Sequence, residues 1–307
     1  MKITVTGGCG FIGSNFVHYL LKKYTNIEVN VIDCLSYAGY YSNLPNDKRI
    51  TFRKRSICDN DIDDAIIGSD IVVNFAAETH VDNSIKNADV FIKQNVYGTY
   101  NLITACKRTN IPKFIQISTD EVYGDPETFS TEDTPLNPNN PYAASKASAE
   151  LFIRAFDRTY NYPVITVRMS NNYGPRQHVE KFIPKIISNA LKNEMIPVYG
   201  NGENKRDWLY VDDACAAIDT IMNKAELGEI YNISAKNIVS NVDIVKQILY
   251  IMGKPEDLIQ YVEDRPGHDK QYLIEPFKLK YKLGWTTKCA LNKGLEKTIE
   301  WYRGMNV

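Results

Sequence analysis

Tyr142 and Lys146 close the run Tyr142-Ala143-Ala144-Ser145-Lys146, and on a helix residues four apart share a face. An ammonium beside a phenol favours the phenolate, so such a pair can take a proton from a substrate hydroxyl. A tyrosine ionises near about 10, and lowering it by roughly 3 units requires about 4 kcal/mol of differential stabilisation. The spacing alone carries little weight, because Tyr19/Lys23 and Tyr250/Lys254 repeat it. Tyr142 differs in position: it follows, by about 24 residues, a strand-like run at 114–118 that ends in Ser118-Thr119. Strand ends and the loops after them line the ligand crevice of a doubly wound sheet. Tyr19 falls inside the first helical segment and Tyr250 in the distal part of the chain.

A second constellation lies at the start. Thr6-Gly7-Gly8-Cys9-Gly10-Phe11-Ile12-Gly13 follows a strand-like run and opens a helical one. Gly7, Gly10 and Gly13 supply a tight turn, close backbone approach to a pyrophosphate, and close helix–strand packing. The helix N-terminus then offers free N–H groups to the anion. Asp33 ends the second strand-like run, 20 residues past Gly13, where a carboxylate binds ribose hydroxyls and repels a 2′-phosphate. NAD is therefore the expected cofactor, and the positive nicotinamide is a second source of stabilisation for a Tyr142 phenolate.

These residues need a scaffold, and the pattern predicts one. Strand-like runs at 2–6, 28–32, 71–75, 114–118 and 164–168 alternate with helical patterns near 11–24, 59–67, 87–109 and 140–160. Alternation of this kind predicts an α/β fold, a Rossmann-type doubly wound parallel sheet with helices on both faces. From about 171 prolines and glycines punctuate the chain and the elements shorten. A helix near 212–224 and a strand at 229–233 return to the sheet, followed by a helix at 241–252, a loop around 265–268 and a helix at 291–303. The expected division is a cofactor domain of 1–170 with return segments about 207–233. Residues 171–206 and 234–307 form a smaller, interleaved α/β lobe that holds substrate.

Bulk properties narrow the partners. The 307 residues are 44% hydrophobic and 24% charged, with a formal net charge of -1. That balance gives no electrostatic case for nucleic acid or an anionic membrane. Four scattered histidines and six scattered cysteines without a Cys-x-x-Cys pair offer no metal-ligand spacing and fit reduced thiols in a cytoplasmic protein. The N-terminus enters a strand-like run directly, so neither secretion nor membrane insertion is expected.

Together these motifs resemble the extended short-chain dehydrogenase/reductase superfamily. Further runs resemble the dTDP-glucose 4,6-dehydratases within it: Ala76-Ala77-Glu78-Thr79-His80-Val81-Asp82, Ser118-Thr119-Asp120-Glu121-Val122-Tyr123-Gly124, Ser170-Asn171-Asn172-Tyr173-Gly174-Pro175, Arg206-Asp207-Trp208-Leu209-Tyr210-Val211 and Asp264-Arg265-Pro266-Gly267-His268-Asp269. The matches run from residue 2 to Trp301. The resemblance implies NAD, a nucleotide sugar such as dTDP-glucose, and a homodimer built on the helices 87–109 and 140–160; periodicity alone equally allows both helices to be covered within one chain.

Asp120-Glu121 separates reaction types. An epimerase needs only to remove and return hydride at sugar carbon 4, whereas a dehydratase must also expel water. Oxidation at carbon 4 acidifies the carbon 5 hydrogen, which a base can take while an acid protonates the departing carbon 6 hydroxyl. The resemblance assigns Asp120 as acid and Glu121 as base, with Thr119 beside Tyr142 at the carbon 4 hydroxyl; the plainer alternative is two solvated loop acids and a β-compatible threonine. A UDP-sugar 4,6-dehydratase, a 4-epimerase and a non-catalytic NAD-binding sensor remain the alternatives, in that order.

The resemblance further places Phe11, Ile12, Ser36, Ala38, Gly39, Ser56, Ile57, Phe75, Ala76, Ala77, Ser118 and Asn172 around the cofactor with Tyr142 and Lys146. Around the sugar nucleotide it places His80, Asn172, Glu180, Lys181, Pro197, Tyr199, Arg206, Asn241, Arg265 and His268. Arginine forks suit a diphosphate. Asn241 reads equally as a helix N-cap, Tyr199 as a core residue and His80 as structural. Two positions depart from the family pattern: Ser56 stands where an aspartate usually meets the adenine amine, and Gln94 where threonine is common. The stretch between Gly124 and Pro141 is also short.

Overall fold

In the computed structural model, which describes residues 1–264 and 266–305, a seven-stranded sheet runs through the centre. Its strands are β1 (Lys2–Thr6), β2 (Glu28–Asp33), β3 (Ile50–Lys54), β4 (Ile71–Asn74), β5 (Phe114–Thr119), β6 (Val164–Met169) and, late in the chain, β10 (Ile230–Ile233). Between β6 and β10 come β7 (Asn171–Tyr173), β8 (Ile196–Tyr199) and β9 (Lys205–Tyr210), and after them β11 (Ile238–Ser240) and β12 (Ile259–Val262). The central order is β10-β6-β5-β4-β1-β2-β3 and every pairing is parallel. Chain order reverses between β1 and β4, and the crevice beyond their C-terminal ends is the binding position of a doubly wound fold.

The helices are α1 (Phe11–Lys23), α2 (Ile62–Ile66), α3 (Val81–Lys86), α4 (Asp89–Phe91), α5 (Gly98–Arg108), α6 (Pro141–Tyr160), α7 (Phe182–Lys192), α8 (Val211–Lys224), α9 (Asn241–Met252), α10 (Phe277–Leu283) and α11 (Leu291–Arg303). Phe16, Val17 and Leu20 of α1 and Ile218 and Ile221 of α8 bury one face of the sheet. Ile62 of α2, Leu102 and Ile103 of α5, and Ile153 and Phe156 of α6 bury the other. Two-faced burial explains why every residue of β4, β5 and β6 is buried, Gln116, Thr166 and Arg168 included. A separate cluster joins Ile186 and Ile187 of α7, Trp208 of β9, Ile248 and Leu249 of α9, and Leu295 and Ile299 of α11.

Three departures from the sequence reading have physical causes. The expected helix 87–109 is interrupted: α4 gives way to a π-helical turn at Ile92–Tyr97 before α5 begins, and the buried Asn95 of that turn bonds across to Glu78 and Ser145. β3 was not expected, because as the sheet's edge strand it buries few side chains and carries Arg53 and Lys54 outward. α7 was masked by Pro184, which sits in the first helical turn, where the missing N–H has no intrahelical partner to lose. Among the described residues no helix is long and apolar enough to cross a membrane.

Candidate active site

The glycine loop joins β1 to α1 through shape alone. Gly7 adopts φ +67°, and a Cβ there would lie 2.7 Å from the Ala76 backbone nitrogen. A Cβ on Gly13 would lie 2.3 Å from the Gly7 carbonyl oxygen. Gly10 caps α1 without a side chain, so the first-turn N–H groups of Phe11, Ile12 and Gly13 carry the positive end of the helix dipole into the cleft these residues line. At the end of β2 the buried Asp33 carboxylate accepts the Cys9 N–H at 2.9 Å and the Leu35 N–H at 2.8 Å. Burial pushes its pKa up and those two bonds pull it down. Each oxygen retains a lone pair for a hydroxyl.

Ser36, Ala38, Gly39, Ser56, Ile57, Phe75, Ala76, Ala77, Ser118 and Asn172 line the same cleft. The Ser56 hydroxyl already accepts the Cys58 N–H at 3.1 Å. Gln94 lines the cleft too, and its Oε1 accepts the Cys58 thiol at 3.4 Å. Sequence reasoning missed Arg55, Met169, Asn171, Gln177 and His178 in this wall; they come from three separate stretches, and only Asn171 falls within one of the runs quoted above.

The cleft fits a dinucleotide on its own chemistry. Ser118 Oγ, Asp120 Oδ2, Asn171 Oδ1 and Asn172 Oδ1 are buried without a hydrogen-bond partner among the described residues. Buried polar atoms in that state await a ligand or water.

At the end of β5 the chain turns sharply. Thr119 caps a 3₁₀ turn at Asp120–Tyr123 by accepting the Glu121 N–H at 3.3 Å, and its hydroxyl donates to Asp120 Oδ1 at 3.2 Å. Asp120 and Glu121 are 2% and 9% exposed, which rules out solvated loop acids. Burial, then Glu121, then Asp207 push the Asp120 carboxyl well above its usual range, against Arg206 and Thr119. Burial thus favours the protonated form of Asp120, the form a general acid uses. Glu121 Oε2 accepts Asn140 Nδ2 and the Tyr272 hydroxyl, each at 3.3 Å.

Pro141 starts α6 at the position where it is best tolerated, and Asn140 caps the helix by accepting the Ala143 N–H at 2.9 Å. The buried Arg168–Glu150 pair, 2.7 Å apart, ties α6 to β6. That helix carries Tyr142 and Lys146 into the cleft. The expected lowering of the phenol by Lys146 is not found in the protein alone. Burial, then Glu121, drives the Tyr142 pKa upward, with only the Thr119 hydrogen bond opposing among the larger causes. Lys146 donates instead to the Ile117 carbonyl at 2.7 Å, and burial lowers its own pKa to about 8.

Of the residues expected around a sugar nucleotide, Thr119, Asn172 and Lys181 line the cleft; Lys181 donates to the Thr79 carbonyl at 2.8 Å. Glu180 Oε2 lies 3.8 Å from both His80 Nε2 and His178 Nδ1, and His80 also caps α3. Tyr199, 38% exposed, is a rim residue rather than a core one; its hydroxyl donates to Asp82 at 3.3 Å and its ring meets His268 edge-on. His268 bonds Asp264 at 2.6 Å. Pro197 sits in β8 opposite Gln260.

One expectation needs correction and one falls outside the described residues. Arg206, expected at the diphosphate, is buried, donates to the Lys205 and Asp269 carbonyls at 2.7 and 3.0 Å, and stacks on the Tyr272 ring at 4.2 Å. Asn241 is not the cap of α9, because the preceding Ser240 accepts the Asp243 N–H at 3.2 Å and fills that role. Arg265 lies outside the described residues. Among the described residues no cluster of His, Cys, Asp or Glu could hold a metal ion.

Comparison with known proteins agrees with this geometry. The family model described as GDP-mannose 4,6 dehydratase matches residues 4–298. The chain is 46% identical over 312 residues to the low-salt glycan biosynthesis protein Agl12 of Haloferax volcanii, covering 99% of each chain. It is 42% identical over 312 residues to a dTDP-glucose 4,6-dehydratase of Streptomyces niveus, covering 99% of this chain and 93% of the relative. The solved structure of DesIV, a dTDP-glucose 4,6-dehydratase from Streptomyces venezuelae crystallised with NAD, superposes with a TM-score of 0.97 at 40% identity, covering 99% of this chain and 97% of that one.

Proposed function

The chain belongs to the GDP-mannose 4,6 dehydratase family, and we propose that it catalyses the NAD-dependent dehydration of dTDP-glucose to dTDP-4-keto-6-deoxyglucose. The observation that carries this reading is the pair of buried acids, Asp120 and Glu121, which line the same cleft as Tyr142, the glycine loop and Asp33. An epimerase, which expels no water, has no use for two adjacent carboxyl groups in the cleft.

Bound against the glycine loop, Asp33 and Lys146, NAD supplies the hydride acceptor and later the donor. The remaining steps belong to side chains. With the positive nicotinamide bound, the Tyr142 phenolate would be favoured over the phenol that burial alone maintains, and that phenolate, oriented by Thr119, would take the proton from the carbon 4 hydroxyl as the carbonyl forms. Glu121 then takes the proton from carbon 5, now acidic because it adjoins that carbonyl. Asp120, whose protonated form burial favours, gives its proton to the oxygen leaving carbon 6, so the bond breaks as water departs; as hydride returns to carbon 6, Glu121 gives carbon 5 a proton and the 4-keto-6-deoxy sugar is complete. Each acid or base role is worth roughly 10²–10⁴ in rate. Lys181, Tyr199, His268 and Arg265 we assign to the sugar nucleotide, with Glu180 and His80 near the hexose.

We assign residues 1–170 and the return segments about 207–233 to the cofactor domain and the remainder to the substrate lobe; the separate core around α7, α9 and α11 supports that division. Exposed Tyr97, Tyr100, Leu151 and Phe152, on or beside α5 and α6, support a homodimer, which sedimentation would report as twice the chain mass. Six free cysteines fit a cytoplasmic setting.

The test is incubation with dTDP-glucose and, separately, UDP-glucose in heavy water. A 4-keto-6-deoxy product from dTDP-glucose with deuterium at carbon 5 is expected. Recovery of unchanged sugar from both would overturn the reading, and product from UDP-glucose alone would move the substrate to the uridine nucleotide.

A further inference from the structure

Behind the acid pair lies a polar assembly that no step above uses. Tyr272 is 2% exposed and does not line the cleft. Its hydroxyl lies 2.8 Å from Asp269 Oδ2 and 3.3 Å from Glu121 Oε2. Asp269 is itself fixed: its other oxygen accepts Asn139 Nδ2 at 2.7 Å, and its carbonyl accepts Arg206 Nη2 at 3.0 Å. The Arg206 guanidinium stacks on the Tyr272 ring, so both ends of the tyrosine are held. The assembly spans 151 residues of sequence, from the turn after β5 to a segment of the distal lobe.

One phenolic proton thus faces two carboxyl groups. Burial and both acids push the Tyr272 pKa well up, so the phenol stays a phenol. When Glu121 is ionised, the hydroxyl can turn its proton toward Glu121. When Glu121 carries a proton, the phenol oxygen can accept from it while the phenolic proton bonds Asp269. A hydroxyl serves both states because it is donor and acceptor at once. The second partner of Glu121, the Asn140 amide nitrogen, can only donate and so favours the ionised state alone.

We propose that Tyr272, backed by Asp269 and Arg206, is a positioning residue for Glu121, giving that carboxyl a matched hydrogen-bond partner both before and after it takes a proton. The proposal rests on the assignment of Glu121 as the base of elimination. It predicts that loss of the hydroxyl slows proton removal from carbon 5 and leaves oxidation at carbon 4 and nucleotide-sugar binding in place.

The experiment compares wild type with Tyr272→Phe, which keeps the ring under Arg206, using dTDP-glucose with and without deuterium at carbon 5. The expected result is a kcat lowered about 10–100-fold, KM within about twofold of wild type, and a carbon 5 isotope effect larger than that of wild type, because elimination has become slower relative to oxidation. Asp269→Asn reaches the same hydroxyl from the other side and is expected to enlarge the isotope effect too. An unchanged kcat, or a lowered kcat with an unchanged isotope effect in both variants, overturns the proposal. Failure of the wild-type enzyme to form the 4-keto product overturns the functional reading itself and is distinguished by that control.

Discussion

The two ends of the cleft are built from different materials. Around the cofactor the chain contributes mainly backbone: a glycine loop with no room for Cβ atoms, a bare helix N-terminus, and an aspartate already satisfied by two N–H groups. At the reaction end it contributes titratable side chains, Asp120, Tyr142 and Lys146, each pushed by burial toward its neutral form. The first end recognises by shape and tolerates little added volume. The second reacts because its groups are held away from their ordinary ionisation, and it tolerates no change of charge. The contrast predicts that substitutions at the two ends fail in different ways.

The largest effect belongs to Glu121→Gln. The amide keeps the size and accepts no proton from carbon 5, so product formation should fall roughly 10²–10⁴-fold. Bound NAD and the affinity for dTDP-glucose should hold within a few-fold, as measured by nucleotide content of the purified protein and by calorimetry. Loss of NAD together with activity would mean the two ends are not separable in this way.

Next is Gly13→Ala. Its methyl would collide with the Gly7 carbonyl oxygen at 2.3 Å, a backbone atom that cannot rotate aside. Overpacking of this kind costs about 1–3 kcal/mol. If the strain is relieved by moving the loop, NAD affinity should weaken about 10–100-fold, read by titration of the cofactor-free protein. An affinity matching wild type would show that the loop's shape is not what holds the dinucleotide.

How much of this was legible in the sequence follows the same contrast. The glycine loop, Asp33 and the Tyr142/Lys146 pair are local patterns, since their spacing is set by one turn or one helix, and the structure puts all of them on one cleft. Six of the seven central strands were legible from alternation; the exception is the edge strand β3, whose residues are at most half-buried and carry no apolar run. Tyr272 and Asn140 carry no such signal: each meets Glu121 only because distant segments converge. Arg206 shows a related gap, because its contacts are not written in its type. A buried arginine satisfied by two carbonyls and an aromatic ring has the same one-letter code as a phosphate ligand.

A third prediction tests the cost of building the reaction end. Lowering the Lys146 pKa from 10.5 to about 8 corresponds to about 3 kcal/mol favouring the neutral amine in the fold. The sign follows directly. Below about pH 8 the ammonium is protonated in both states and the full penalty is present; it fades as pH rises toward 10.5. Lys146→Met should therefore be inactive yet more stable than wild type by about 2 kcal/mol at neutral pH, after roughly 1 kcal/mol is deducted for the lost bond to Ile117. The gap should narrow in denaturant melts at higher pH. A variant less stable at every pH would mean that this buried charge is more than repaid by its surroundings.

The smallest effect is expected at Ser56, and it is the most direct comparison with Gly13, because one substitution removes an atom and the other adds one. The Ser56 hydroxyl lines the cleft while already accepting the Cys58 N–H. It has a lone pair for the adenine amine, yet its first duty is to hold the turn that follows β3. Ser56→Ala should weaken NAD binding about 3–10-fold, the size of one neutral hydrogen bond, with kcat at saturating cofactor unchanged. If binding is governed by shape, this deletion costs less than the added methyl at Gly13. Should Ser56→Ala prove the more damaging of the two, the adenine end would be reading its ligand through side-chain chemistry after all, and the division between the two ends of the cleft would have to be redrawn at the ribose.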